Sequence, residues 1–212
     1  RIAAGLLEPD EGTVLLREES LYDLSHSHRL KRMQRFGFVF QNDALISNIN
    51  LFDNLALPLR YHSKLKEKEI LEKITETLAA YNLSKEIYSM PSSMSLGERK
   101  IAAFARAVIN EPDVLFLDEP TAMLDKKTAQ FIADIIESFK ENKKTIFMTS
   151  NDMDLIFNLS DKVGVLINSS INLEGYPYDI KYSNNKEIKE LLSSIKTGQE
   201  EEVENEILQL LK

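Results

Sequence analysis

Val114-Leu115-Phe116-Leu117 offers no polar side chain to water and runs directly into Asp118-Glu119-Pro120. A strand with no alternation is expected to be covered on both faces, which favours a parallel sheet layered with helices over an antiparallel one. Phe36-Gly37-Phe38-Val39-Phe40 and Thr145 to Met148 repeat the pattern, and Val163 to Ile167 adds another strand. Helical spacing fills the intervals: Ser27 to Gln34, Leu51 to Tyr61, Lys64 to Tyr81, Glu98 to Ile109, Lys126 to Lys140 and Asp154 to Leu159. Pro58 is expected to begin or kink a helix, and the alanines at 102, 103, 105 and 107 to let the next one pack closely. Strands alternating with helices predict a mostly parallel α/β sheet whose ligands lie beyond the carboxyl ends of the strands.

The remaining features narrow the function. A chain of 212 residues, 43% of them hydrophobic, suits one globular domain carrying a subdomain. Its net charge of -8 argues against a nucleic-acid partner, which favours a basic face. Without cysteine there is no disulfide framework and no thiolate chemistry. The apolar runs are too short to cross a bilayer, so a membrane role would come through a partner. His26, His28 and His62 lack a metal-ligand arrangement and read as surface residues. Arg1 to Leu7 reads as the end of a helix with Gly5 as its cap, which leads to the expectation of an incomplete chain.

Three places carry candidate chemistry. Asp118 and Glu119, at a sheet's ligand edge, can hold a hydrated Mg²⁺ and orient an attacking water; an isolated pair of this kind is more often a solvated strand end. Ser95-Leu96-Gly97-Glu98 precedes a helix, where a hydroxyl and backbone amides suit a phosphate oxygen; the same residues also make a helix capping box. Gln41 follows the strand ending at Phe40, and its amide can contact a metal or water; alone it reads as an ordinary surface residue.

Taken in order, these motifs resemble the ATP-binding-cassette (ABC) family along nearly the whole chain. The resemblance implies a P-loop NTPase-like fold with an inserted helical subdomain, lacking its N-terminal part, and it implies ATP and Mg²⁺ as cofactors. It makes Gln41 the Q-loop glutamine and Met94 to Glu98 the signature loop, whose Ser95, Gly97 and Glu98 face a partner subunit's ATP. Asp118 and Gln41 fall on the Mg²⁺ side, Glu119 is the catalytic carboxylate, and Asp125 belongs to the D-loop. Asn151 stands at the switch-histidine position. The phosphate loop would lie immediately before Arg1, so residues 1–212 alone are expected to bind ATP very weakly and to be inactive. Two positions depart from the family. Leu96 replaces a glycine, adding a side chain and resisting positive φ, and Asn151 cannot carry a charge as histidine can. Slow hydrolysis is the expectation.

Phe40 to Leu45, followed by Asn50 to His62, looks most like the ATPases of MCE-type transporters, which move phospholipids between the membranes of a diderm envelope. Related runs occur in lipoprotein-release and cell-division cassettes, and a degenerate, non-hydrolysing cassette subunit is a further alternative. The resemblance implies transmembrane permease subunits docking on the 42–62 region, a homodimer with a second ATPase subunit, and a peripheral place on the cytoplasmic face of the inner membrane. The expected division is an ABC ATPase domain over 1–180, with its core at 1–41 and 101–180 and a helical subdomain at about 42–100. A helical extension follows over 181–212.

Overall fold

The structure is a computed structural model that describes residues 1–195; the rest of the expected C-terminal extension lies outside the described residues. The chain forms two compact units, Arg1–Thr149 and Ser150–Lys212.

The first unit opens on a capped turn. The Gly5 amide donates to the Ile2 carbonyl and the Leu6 amide to that of Arg1, with Gly5 at φ +73°. This pair of bonds is the Schellman arrangement that closes an α-helix, as the sequence predicts there. A short antiparallel hairpin follows, β1 (Leu15–Leu16) with β2 (Glu19–Ser20), then α1 (His26–Met33).

Three parallel strands form the sheet that positions the site: β3 (Phe36–Val39), β4 (Val114–Asp118) and β5 (Thr145–Thr149), in the order β3-β4-β5. Val39 pairs with Leu117 and Asp118 with Thr149, so all three strands end at one edge. The strands are not covered equally on both faces. Val39, Leu115 and Leu117 are buried, whereas Phe36, Phe38 and Phe116 are partly exposed and Phe147 is 52% exposed. On that second face the rings pack on one another, Phe38 on Phe116 at 5.4 Å and Phe116 on Phe147 at 5.9 Å.

Between β3 and β4 stand α2 (Leu51–His62), α3 (Glu67–Ala80) and α4 (Leu96–Val108). Leu55, Leu59, Ile70, Ile74, Leu78, Ala102 and Ala105 make their common core. Pro58 lies inside α2, which continues to His62. Asn54 is fully buried and satisfied: its amide group reaches the carbonyls of Ile46, Ile49 and Asn50, and its Oδ1 accepts from the Ile46 amide at 2.8 Å. Helix α5 (Lys126–Glu141) leads from β4 to β5, with Ile132 and Ile136 buried.

The second unit holds α6 (Met153–Leu159), β6 (Val163–Ile167), β7 (Ser170–Gly175), α7 (Pro177–Lys181) and a helical segment at 186–195. Val165, Ile180 and Ile188 form its core. Strand β6 pairs antiparallel with β7 rather than joining a parallel sheet. Both residues of the connecting turn, Asn168 and Ser169, have positive φ, the geometry whose twist suits a two-residue hairpin.

Candidate functional site

The sequence-predicted residues fall into two groups within the first unit, plus Asn151 in the second. The first group lies at the carboxyl edge of the parallel strands. Asp118 ends β4, and its Oδ1 accepts a hydrogen bond from the Thr149 hydroxyl at 2.6 Å. Glu119 has φ +47°, and its amide donates to the Thr149 carbonyl at 3.0 Å. A left-handed glutamate is uncommon and persists only where its surroundings impose it, here next to β5 and before Pro120. The turn closes with the Leu124 amide on the Thr121 carbonyl, and Thr121 is buried. Gln41 is two residues past the end of β3, with an exposed side chain.

The second group sits at two helix N-termini. Ser95 caps α4: its Oγ accepts from the Glu98 amide at 3.3 Å, while Glu98 Oε2 accepts from the Ser95 amide at 2.8 Å and the Ser95 hydroxyl at 2.7 Å. These bonds from the Ser95 hydroxyl and amide hold the Glu98 carboxyl below its usual range. Asp125 caps α5, accepting from the Thr128 amide at 3.0 Å and the Thr128 hydroxyl at 2.7 Å, which lowers its pKa likewise. The two helix starts meet at Gly97, where a Cβ would stand 3.1 Å from Thr128 Cγ2. The capping-box reading of Ser95 is therefore fulfilled, and it leaves the other backbone amides of the first turn of α4 available to an anion.

Leu96 differs from expectation. It is the first residue of α4 and has no positive φ, so the backbone objection to leucine does not hold; its side chain is 37% exposed. Asn151 is the second residue of the second unit, exposed, next to Asp152, which caps α6 by accepting from the Leu155 amide at 3.0 Å.

Among the described residues no group of three histidine or carboxylate side chains is set to hold a metal. Mg²⁺ keeps most of its waters and takes one or two protein oxygens beside substrate phosphates. Asp118 fits such a role, being exposed at the strand end with only Oδ1 engaged by Thr149. No helix among the described residues is long and apolar enough to cross a membrane.

Sequence reasoning missed Thr149, Thr128, Asp43 and Lys100. Lys100, in α4, is 1% exposed and its Nζ donates to the Gln41 carbonyl at 2.6 Å. In sequence Lys100 is one of three cations of that helix, with Arg99 and Arg106, and nothing sets it apart.

Residues 1–122 match the family profile described as ABC transporter. The "Probable ribonucleotide transport ATP-binding protein mkl" of Mycobacterium tuberculosis is 28% identical over 195 residues, 92% of this chain and 54% of that protein. The "Lipoprotein-releasing system ATP-binding protein LolD" of Buchnera aphidicola is 37% identical over 73% of this chain and 68% of its own length. Among solved structures, the dimeric post-hydrolysis state of the ATP-binding cassette MJ0796, bound to ADP and Pi, superposes with a TM-score of 0.75. It is 26% identical and covers 83% of this chain and 78% of that one. The chain spans about half the length of the Mkl proteins it matches. The expectation that residues 1–212 alone are inactive finds no support in these matches. With a profile matched over more than half its residues and a parallel α/β core shared with solved cassettes, the chain belongs to the ABC transporter family.

Proposed function

We propose that this chain is the ATP-hydrolysing motor subunit of an ABC membrane transporter, peripheral at the cytoplasmic face of the inner membrane. The observation that carries the reading is the pair Asp118 and Glu119 at the carboxyl end of β4, beside the end of β3 that Gln41 follows. Glu119 orients the attacking water and accepts its proton as the bond to the ADP leaving group breaks. Its left-handed backbone, tied to Thr149, fixes where the carboxylate starts from. Asp118 and Gln41 are the residues to hold Mg²⁺, which neutralises charge on the phosphate oxygens when bound. Ser95, Gly97 and Glu98 serve the nucleotide of a second subunit in a homodimer, and Asp125 lies beside them through Thr128. Support for the dimer comes from the dimeric MJ0796 cassette. Asn151 offers the γ-phosphate an amide donor in place of an imidazole.

The domain division proposed is a cassette over 1–180, with core 1–41 and 101–180 and helical subdomain 42–100, and an extension over 181–212. Permease subunits dock on the 42–62 region, where Asn54 makes the approach to α2 a fixed surface. For cargo, the run from Asp53 to His62 favours phospholipid transport of the MCE type. A lipoprotein-release role is the second reading, favoured by the similarity to LolD. The test is turnover by the complete transporter complex with Mg²⁺ and ATP, wild type against Glu119→Gln. Loss of about 10²-fold or more in the variant is expected. No turnover by the wild-type complex would instead favour the non-hydrolysing subunit, and stimulation by lipoprotein but not phospholipid would favour the second cargo.

A further inference from the structure

Helix α4 does more than present Ser95. Lys100 Nζ, buried, donates to the Gln41 carbonyl at 2.6 Å and the Phe40 carbonyl at 3.3 Å, and lies 3.2 Å from Asp43 Oδ1. Asp43 is 5% exposed. On its other side Arg99 Nε stands 3.5 Å from Asp43 Oδ2, while Arg99 Nη1 donates to the Met94 carbonyl at 2.8 Å. Nearly two turns further on, Arg106 donates to the carbonyls of Ala44 at 2.7 Å and Asp43 at 3.0 Å. Two cations of one helix, Lys100 and Arg106, therefore hold the loop after β3 by its backbone, and the Asp43 carboxylate, through Arg99, joins that loop to the residue preceding Ser95.

Stability alone is a weak account of this arrangement. A buried ion pair gives little or no net stabilisation over an apolar pair of the same shape, because desolvation offsets the attraction. Asp43 and Ala44 also stand at φ +59° and +52°, a conformation two successive non-glycine residues adopt only when their surroundings impose it. Asp43 Oδ1 has no aligned hydrogen-bond donor and is held there by charge. The loop takes its shape from α4, not from its own preference.

We propose that Asp43 and Lys100 are positioning residues: a buried latch that fixes the Gln41 backbone and the Met94–Ser95 segment in one frame, so that displacement of the 42–45 loop is transmitted to the start of α4. The inference rests on the metal-side role proposed for Gln41. Removing one charge alone leaves the other buried and can unfold the protein, so the decisive variant is the double substitution Lys100→Met with Asp43→Asn, which keeps both shapes.

In the complete transporter complex, its melting temperature should stay near that of the wild type. Half-saturating Mg²⁺ for turnover should rise about tenfold, the scale seen when residues supporting a metal ligand are lost. Amide hydrogen exchange at residues 41–46 should rise while that of α3 does not. Adding Gln41→Ala should shift Mg²⁺ dependence no further. Wild-type Mg²⁺ dependence and exchange in the double variant would overturn the proposal, as would a fully additive effect of Gln41→Ala. Should the wild-type complex hydrolyse no ATP, the motor reading fails separately, and exchange at 41–46 alone decides the latch: raised exchange supports it and unchanged exchange refutes it.

Discussion

Gly37 is the residue whose replacement tests the packing that sets the site. It lies buried in the middle of β3, and a Cβ there would meet the Ala107 carbonyl oxygen at 2.5 Å, Leu115 Cδ1 at 2.9 Å and Pro112 Cγ at 3.0 Å. The first of these is backbone near the end of α4 and cannot rotate away, so Gly37→Ala must push β3 and α4 apart. Overpacking of this kind costs about 1–3 kcal/mol, and a backbone obstacle belongs at the upper end, about 3 kcal/mol. Alanine regains about 0.5–1 kcal/mol of chain entropy over glycine, leaving a net loss of about 2 kcal/mol. For a chain of this size each kcal/mol shifts the melting temperature by about 2–4 °C, so a drop of about 4–8 °C is expected by far-UV circular dichroism. Gly164→Ala is the control, because its Cβ would find nothing nearer than 3.7 Å and its effect should fall within about 0.5 kcal/mol. A Gly37→Ala protein melting with the wild type would refute the claim that α4 lies against β3 without room for a methyl group.

Ser95→Ala removes the acceptor for the Glu98 amide and a donor to its carboxylate, and should lower stability by about 1 kcal/mol in denaturant titration. Acid should destabilise the fold through groups whose folded pKa values are depressed: Glu98 by Ser95, Asp125 by Thr128, Glu111 by Lys73 and Asp113 by Arg35. Such groups contribute fully above their unfolded values, near 4.5 for glutamate, and the contribution is lost as pH falls through the lower folded values; urea midpoints measured from pH 6 to pH 3 should decline through that window. Asn151→His should raise ATP turnover of the complex, by up to about 10²-fold if a charged contact to the γ-phosphate is what asparagine lacks; no gain would remove Asn151 as the cause of slow hydrolysis.

The parallel sheet was legible because Phe36 to Phe40, Val114 to Leu117 and Thr145 to Met148 are apolar runs whose spacing leaves room for helices, and the ends of β3, β4 and β5 fall within about a residue of those readings. The start of α4 was legible for a local reason, since Ser95 and Glu98 satisfy each other within one turn. What periodicity could not supply was tertiary. Lys100 looks like a solvated lysine until the loop at Gln41 to Ala44, some sixty residues earlier, closes over it. Strand β7 was missed because Asn168-Ser169 is a weak turn signal and the alternation of Ile171 and Leu173 with polar neighbours is too short to stand out. The partial cover of the sheet was hidden because a phenylalanine packed on its own neighbours and one packed under a helix read alike in sequence.

The two departures from the family pattern are unequal, and Leu96 shows how to separate them. Leucine in place of glycine can interfere through its backbone, if the position needs positive φ, or through its side chain, if bulk faces a phosphate. Leu96 is the first residue of α4 with no positive φ, a position that leucine occupies without strain. Only the side-chain effect remains, and alanine relieves that as fully as glycine does. Leu96→Ala and Leu96→Gly should therefore change ATP turnover to the same extent, while the glycine variant is less stable by up to about 1 kcal/mol for its place in the first helical turn. Steady-state turnover of the complex measures the first and thermal unfolding the second. A glycine variant that outpaces the alanine variant severalfold would mean that the segment leaves its helical geometry during the catalytic cycle, and that leucine resists that change.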